Sequence, residues 1–113
     1  MLGKMRKVSV PDPVTLQLKD LGERLRLARK RREWTVAELA DRLGVNRETV
    51  SALEKGSPGT SVGVLAGALW VMGLPGLDRV AASTEDLHGI ALEHARAPQR
   101  VRKRREREAD YDF

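Results

Sequence analysis

The chain has 113 residues, 41% hydrophobic but only 4% aromatic, so one ordinary domain, or one domain plus a tail, with an aliphatic core is expected. Its 21 lysines and arginines outnumber 16 acids to give a net charge of +5, which leans towards a polyanionic partner. Cysteine is absent, which excludes a disulfide scaffold, a thiolate metal site and a cysteine nucleophile, and the longest apolar stretch, Val62 to Leu74, is too short to span a bilayer.

The start, Met1 to Lys7, is basic but leads into no apolar run, so no signal peptide is expected. Val8-Ser9-Val10 followed by Pro11-Asp12-Pro13 predicts an extended arm over residues 1–15, because proline forces extended geometry before it. From Leu16 to about Arg32, Leu18, Leu21, Leu25 and Ala28 recur at spacings of three and four, the mark of an amphipathic helix. Thr35 with Glu38 three residues on forms a capping box, predicting a helix from Val36 to Leu43 that stops at Gly44. Asn46 then caps a second short helix, Arg47 to Lys55, ended by Gly56. Ser57-Pro58-Gly59-Thr60 reads as a loop, and Ser61 caps a helix from Val62 to Met72. Pro75 and Gly76 turn the chain into a short helix around Leu77 to Ala82. A weaker helix runs from Glu85 or Asp86 to about Arg96. No segment reads as a core strand.

The informative stretch is Thr35 to Gly56, TVAELADRLGVNRETVSALEKG. Two short helices flank Gly44-Val45. Ala40 must be small because the second helix crosses over it, and Gly44 supplies the positive φ of a tight turn. Val36, Leu39, Leu43, Val45, Val50 and Leu53 would wedge the helices together. The exposed face of the second helix is then Arg47, Glu48, Ser51 and Ala52, with Asn46 and Thr49 at its start. Such a face fits the DNA major groove, where side chains near a helix N-terminus reach base edges.

The pattern resembles the helix-turn-helix of phage-repressor-like regulators of the Xre or Cro type, over roughly Gly22 to Gly73. The resemblance implies an all-α fold: a five-helix phage-repressor-like domain with an N-terminal extended arm and a C-terminal helical, then disordered, extension. The expected boundaries are an arm at 1–15, a DNA-binding and dimerisation domain at 16–82, and an extension with a basic tail at 83–113. By the same resemblance, Asn46, Arg47, Glu48, Thr49 and Ser51 face bases, while Thr35, Lys55 and Ser57 approach phosphates. Arg29 and Glu54 pair, as they often do in that family. Two positions depart from the pattern: Val36 stands where glutamine often binds phosphate, and Glu33 where glycine is common. A cytoplasmic, nucleoid-associated repressor of operator DNA is implied.

A second resemblance is narrower. Lys55 to Gly63, the following leucine-rich helix, and the later Asp86, Gly89 and Pro98-Gln99-Arg100-Val101-Arg102 are similar to HipB-type antitoxins, which are encoded beside HipA-like kinases. This implies an antitoxin and autorepressor with a HipA-like kinase toxin as partner. The alternatives are a stand-alone repressor without a toxin and, in another class, a protein–protein adaptor.

Helix 62–72 carries two apolar stripes, Val62, Leu65, Leu69 and Met72, and Val64, Ala68 and Val71, where a helix wet on one face needs one. The second, with Trp70, Leu74, Leu77 and Val80, predicts a homodimer interface, since paired half-sites are how this motif gains affinity. In Arg29-Lys30-Arg31-Arg32, Arg29 is expected to be structural and the others solvated. Arg100, Arg102, Lys103, Arg104, Arg105 and Arg107 form a stronger basic run, for phosphate, for a kinase partner or simply solvated. Tyr111 and Phe113 beyond it could anchor a partner. His88 and His94 share no helix face and suggest no metal site. No nucleophile, phosphate loop or acid/base pair stands out, so no enzymatic activity and no cofactor are expected.

Overall fold

A computed structural model describes residues 9–96; the expectations placed on the basic start, on the Arg100–Arg107 run and on Tyr111 and Phe113 lie outside the described residues. The order is α1 (Asp12–Arg31), α2 (Val36–Leu43), α3 (Arg47–Glu54), α4 (Val62–Val71), a 3-10 turn (Ser83–Glu85) and α5 (Leu87–Arg96). The described residues contain these five helices and no strand. The chain divides after Leu77 into two compact units, the first holding α1 to α4 and the second the 3-10 turn and α5.

The prolines act differently from the expectation. Pro11 is the N-cap of α1, and Pro13 sits in its first turn, so the helix begins at Asp12 and not at Leu16. The first amides of a helix have no intrahelical acceptor, so a proline there loses no hydrogen bond and its fixed φ suits the helix. Val14 and Thr15 both donate their N–H to the Pro11 carbonyl, at 2.9 and 3.0 Å. Residues 12–15 are therefore helical, not extended.

A second correction concerns residues 77–82. No helix forms there; the chain turns through Asp78 to Ala81, with Ala81 at φ 58°. That left-handed residue ends any helical run, and the fifth helix is instead Leu87–Arg96. Just before it, Asp86 Oδ1 accepts the Gly89 N–H at 3.0 Å. A Cβ at residue 89 would meet that carboxylate, which would have to turn aside.

The core of the first unit forms two adjoining clusters. Leu25, Ala28, Leu53, Ala68 and Met72 make one, and Leu39, Ala40 and Val50 the other. Leu39 and Val50 are 0% exposed and Leu25 2%, and each such side chain contributes about 1.5–3 kcal/mol of transfer free energy. Ala40 is buried, as the crossing of α2 and α3 requires. Trp34 touches both clusters, and the Arg42 guanidinium lies 4.0 Å from its ring centroid.

Both stripes of α4 pack within the chain except at Val62, which is 67% exposed. Ala68 and Met72 are buried, and Val64, Leu65, Leu69, Val71 and Leu74 are partly buried against the first cluster. Trp70 is left out, at 82% exposed.

The end of α1 is closed by a Schellman arrangement: Glu33 N–H donates to the Lys30 carbonyl at 2.9 Å and Trp34 N–H to the Arg29 carbonyl at 3.3 Å. The motif needs a left-handed residue at its hinge, and Glu33 occupies it at φ 59°. Arg32 is not solvated as expected. Its guanidinium donates to the Ala28 carbonyl at 2.7 Å and to the Met72 carbonyl at 2.6 Å, tying the C-terminal ends of α1 and α4 together.

The strain at Glu33 gives a stability prediction. A side chain in the left-handed region costs about 1–2 kcal/mol, and glycine gives part of this back through the entropy of the unfolded chain. Glu33→Gly should stabilise the protein by about 0.5–1 kcal/mol, read as a rise in the thermal midpoint followed by circular dichroism. An unchanged or lowered midpoint would refute the strain.

Candidate nucleic-acid interface

The position of α3 is fixed from its buried side. Arg29 Nε donates to Glu54 Oε2 at 2.7 Å and Arg29 Nη2 to Glu54 Oε1 at 3.0 Å, a two-pronged ion pair between α1 and α3. Both residues are buried. The remaining guanidinium nitrogen, Nη1, donates to the Trp34 carbonyl at 2.8 Å, so one side chain ties three elements. The hydrogen-bonded Glu54 carboxylate holds the Arg29 guanidinium above its ordinary pKa against the opposing effect of burial.

Backbones also meet at this junction. A Cβ at Gly22 would lie 2.8 Å from the Glu54 carbonyl carbon and 2.9 Å from the Gly56 nitrogen. Gly56, at φ 77°, lies equally close to α1, since its Cβ would fall 2.5 Å from the Leu18 carbonyl oxygen. Glycine at 22 thus allows α1 and the end of α3 to touch.

The turn before α3 behaves as its sequence requires. Gly44 closes α2 at φ 71°, in the left-handed region. Asn46 Oδ1 accepts the Thr49 N–H at 2.9 Å and the Thr49 hydroxyl at 2.7 Å. The hydroxyl proton of the half-buried Thr49 is therefore committed to the cap, while the exposed Asn46 keeps its amide NH2 available. Arg47, Glu48 and Lys55 are exposed, and Ser51 and Ala52 are half-buried beside them. No salt bridge of the described residues uses Arg47, Glu48 or Lys55.

Arg47, Glu48, Ser51, Lys55 and Ser57 line one shallow depression. Asn46, Glu48, Thr49, Ser57 and Ser61 line a second, towards the start of α4. Thr35 lies instead at the start of α2, where its hydroxyl accepts the Glu38 N–H at 3.0 Å and its own N–H donates to Glu38 Oε1 at 2.7 Å. Its neighbour Val36 lines the groove between α1 and α3. Among the residues expected at an interface between subunits, Trp70 and Val80 are exposed and Leu74 and Leu77 half-buried.

A family described as helix-turn-helix domain matches residues 20–82, more than half of the chain. The chain belongs to this family. Membership carries DNA binding and a regulator's role. Comparison with curated proteins and with solved structures gave no match. No described helix is long and apolar enough to cross a membrane.

Sequence reasoning overlooked Lys19, Glu23 and Arg26, which face α3 across the α1–α3 groove. Their spacing of four and three residues was the available signal, since it places all three on one stripe of α1.

The ion pair makes a sharp prediction. Arg29→Ala or Glu54→Ala leaves one buried charge unpaired and should destabilise by about 3–5 kcal/mol in urea unfolding. Arg29→Met combined with Glu54→Leu removes both charges and should recover most of that loss. A double variant as unstable as the sum of the singles would show that the pair is not acting as a unit.

Proposed function

We propose that the protein is a sequence-specific transcriptional repressor that binds operator DNA as a homodimer, with α3 of each subunit in the major groove. The observation that carries this reading is the division of α3. Val50, Leu53 and Glu54 are buried on one side, while Arg47, Glu48 and Lys55 stand exposed on the other. In this reading Arg47 reads a base edge, with Asn46, Glu48 and Ser51 beside it, and Lys55 and Ser57 contact phosphates. Thr35 takes a phosphate through its hydroxyl proton, the one polar group its capping box leaves over. The repressor would act in the cytoplasm on the nucleoid.

The exposed Trp70 supports the second copy, because a large aromatic ring left bare on a mostly packed helix suits a subunit interface. Leu74 and Leu77 of the same unit complete the proposed contact. A finer reading makes the protein a HipB-like antitoxin that represses its own gene and binds a HipA-like kinase. It rests on the similarity of Lys55 to Gly63 and of Asp86 and Gly89 to such antitoxins. Tagged full-length chain recovered from its native cells with both DNA and a kinase supports this reading, and DNA alone supports the stand-alone repressor. Protein partners without salt-dependent DNA binding would make it an adaptor.

Binding sites selected from random duplexes, followed by titration across salt concentrations, test the DNA reading. Arg47→Ala should cost roughly 1–3 kcal/mol on the selected site and relax preference at one base pair. Lys55→Ala should weaken all sequences about equally and flatten the salt slope by about one unit. Identical behaviour of the two variants would reject α3 as the reading helix.

Trp70→Glu tests the assembly. It should shift the dimer–monomer equilibrium seen in sedimentation by at least tenfold and weaken operator binding, with helical signal preserved. An unmutated protein that sediments as a monomer at micromolar concentration would refute the interface.

A further inference from the structure

A groove of about 570 Å³ runs between α1 and α3. Lys19, Glu23 and Arg26 form its α1 wall and Ser51 and Lys55 its α3 wall, with the buried Arg29–Glu54 pair between them. Ser51 and Lys55 also line the depression that holds Arg47 and Glu48, so the groove adjoins the exposed face of α3. Arg29 and Glu54 cancel each other within their own pair. What remains is three cations, Lys19, Arg26 and Lys55, against the single carboxylate of Glu23, all exposed.

The cations are available. No salt bridge of the described residues uses Lys19 or Lys55, and Arg26 meets Glu23 only at 3.4 Å in an exposed contact. Exposed pairs of this kind hold a side chain weakly, so Arg26 can exchange the carboxylate for a stronger anion. A cleft with excess charge of one sign also concentrates the field at its mouth.

We propose that this groove seats one backbone phosphate of bound DNA, gripped by Lys19 and Arg26 of α1 together with Lys55 at the C-cap of α3, and that Glu23 weakens the grip. The proposal rests on the reading that α3 enters the major groove. An α1 wall beside α3 then meets the sugar–phosphate backbone flanking the bases being read. Such a contact carries no sequence information; it fixes how the domain sits on the duplex. Arg26 brings a planar fork suited to a phosphate and Lys19 a mobile point charge. Glu23, four residues from Lys19 and three from Arg26, opposes the phosphate from within the same groove.

The test uses the full chain, a selected cognate duplex and a scrambled duplex of equal length, titrated over a range of potassium chloride. Lys19→Ala combined with Arg26→Ala should weaken both duplexes at least fivefold, leave their ratio unchanged and lower the salt slope by about one unit. Glu23→Gln should tighten both duplexes two- to fivefold. These side chains are exposed, so thermal unfolding should match the unmutated protein, and Arg26→Gln provides a milder second variant.

If the double variant keeps full affinity and slope while Arg47→Ala still loses the cognate site, the groove proposal falls and the α3 reading stands. A loss confined to the cognate duplex, or weaker binding by Glu23→Gln, also overturns it. Failure of the unmutated protein to bind either duplex removes both readings.

Discussion

The ion pair between Arg29 and Glu54 is the constraint on which the rest of the first unit depends. It joins residues 25 apart, at the end of α1 and the end of α3. Its two prongs fix orientation as well as distance, because a guanidinium fork meets a carboxylate well only when the two are coplanar. The third contact, to the Trp34 carbonyl, sets the joint between α1 and α2 from the same side chain. Desolvating both ions offsets much of their attraction, so the pair adds little net stability compared with two apolar side chains. Its structural consequence is a defined pose for α3, and an exposed face is useful for recognition only if its pose is defined.

Around that pair, polar groups separate into committed and uncommitted sets. Arg32 is held by two helix-end carbonyls, Arg42 by the Trp34 ring, and Thr49 by the Asn46 cap. Lys19, Arg47 and Lys55 take part in no salt bridge of the described residues. These three lie on α1, on α3 and at the C-cap of α3, and they line adjoining depressions. The Arg29 to Arg32 cluster divides the same way: Arg29 and Arg32 are committed, while the exposed Lys30 and Arg31 enter no salt bridge of the described residues. Charge is therefore a guide to a binding face only where it is both unclaimed and lines a depression, as Lys19, Arg47 and Lys55 do.

Local chemistry made much of this fold legible. The capping box at Thr35, the caps at Asn46 and Ser61 and the left-handed Gly44 each involve residues at most four apart, and the helices they delimit appear within a residue of their expected ends. The partnership of Arg29 and Glu54 came only through family resemblance, since no local rule links residues so far apart. The misreadings share a cause: a residue type with two opposite uses. Proline can stop a helix or open one, and Pro13 opens α1. Leu77 and Val80 carried a helical spacing, but Ala81 takes a left-handed conformation that spacing does not foresee. Lys19 and Arg26 looked like the wet side of α1 because only the packing of α3 shows what that side overlooks.

The length of α3 bears on how such a domain can discriminate at all. It has eight residues, so it extends only about 12 Å. At roughly 3.4 Å per base pair, that length faces about three or four pairs. A target so short recurs too often among roughly 10⁶ or more competing sites for one subunit to select a promoter. Lengthening the helix would not help, because a straight helix leaves the curving groove within a turn or so. In the proposed reading a second recognition helix at a fixed spacing supplies the missing discrimination, while backbone contacts, which carry no sequence information, supply affinity and fix how the domain sits. The exposed Trp70 on α4 bears on the first and the cationic wall of α1 on the second: the one would add discrimination that a short α3 lacks, the other only grip.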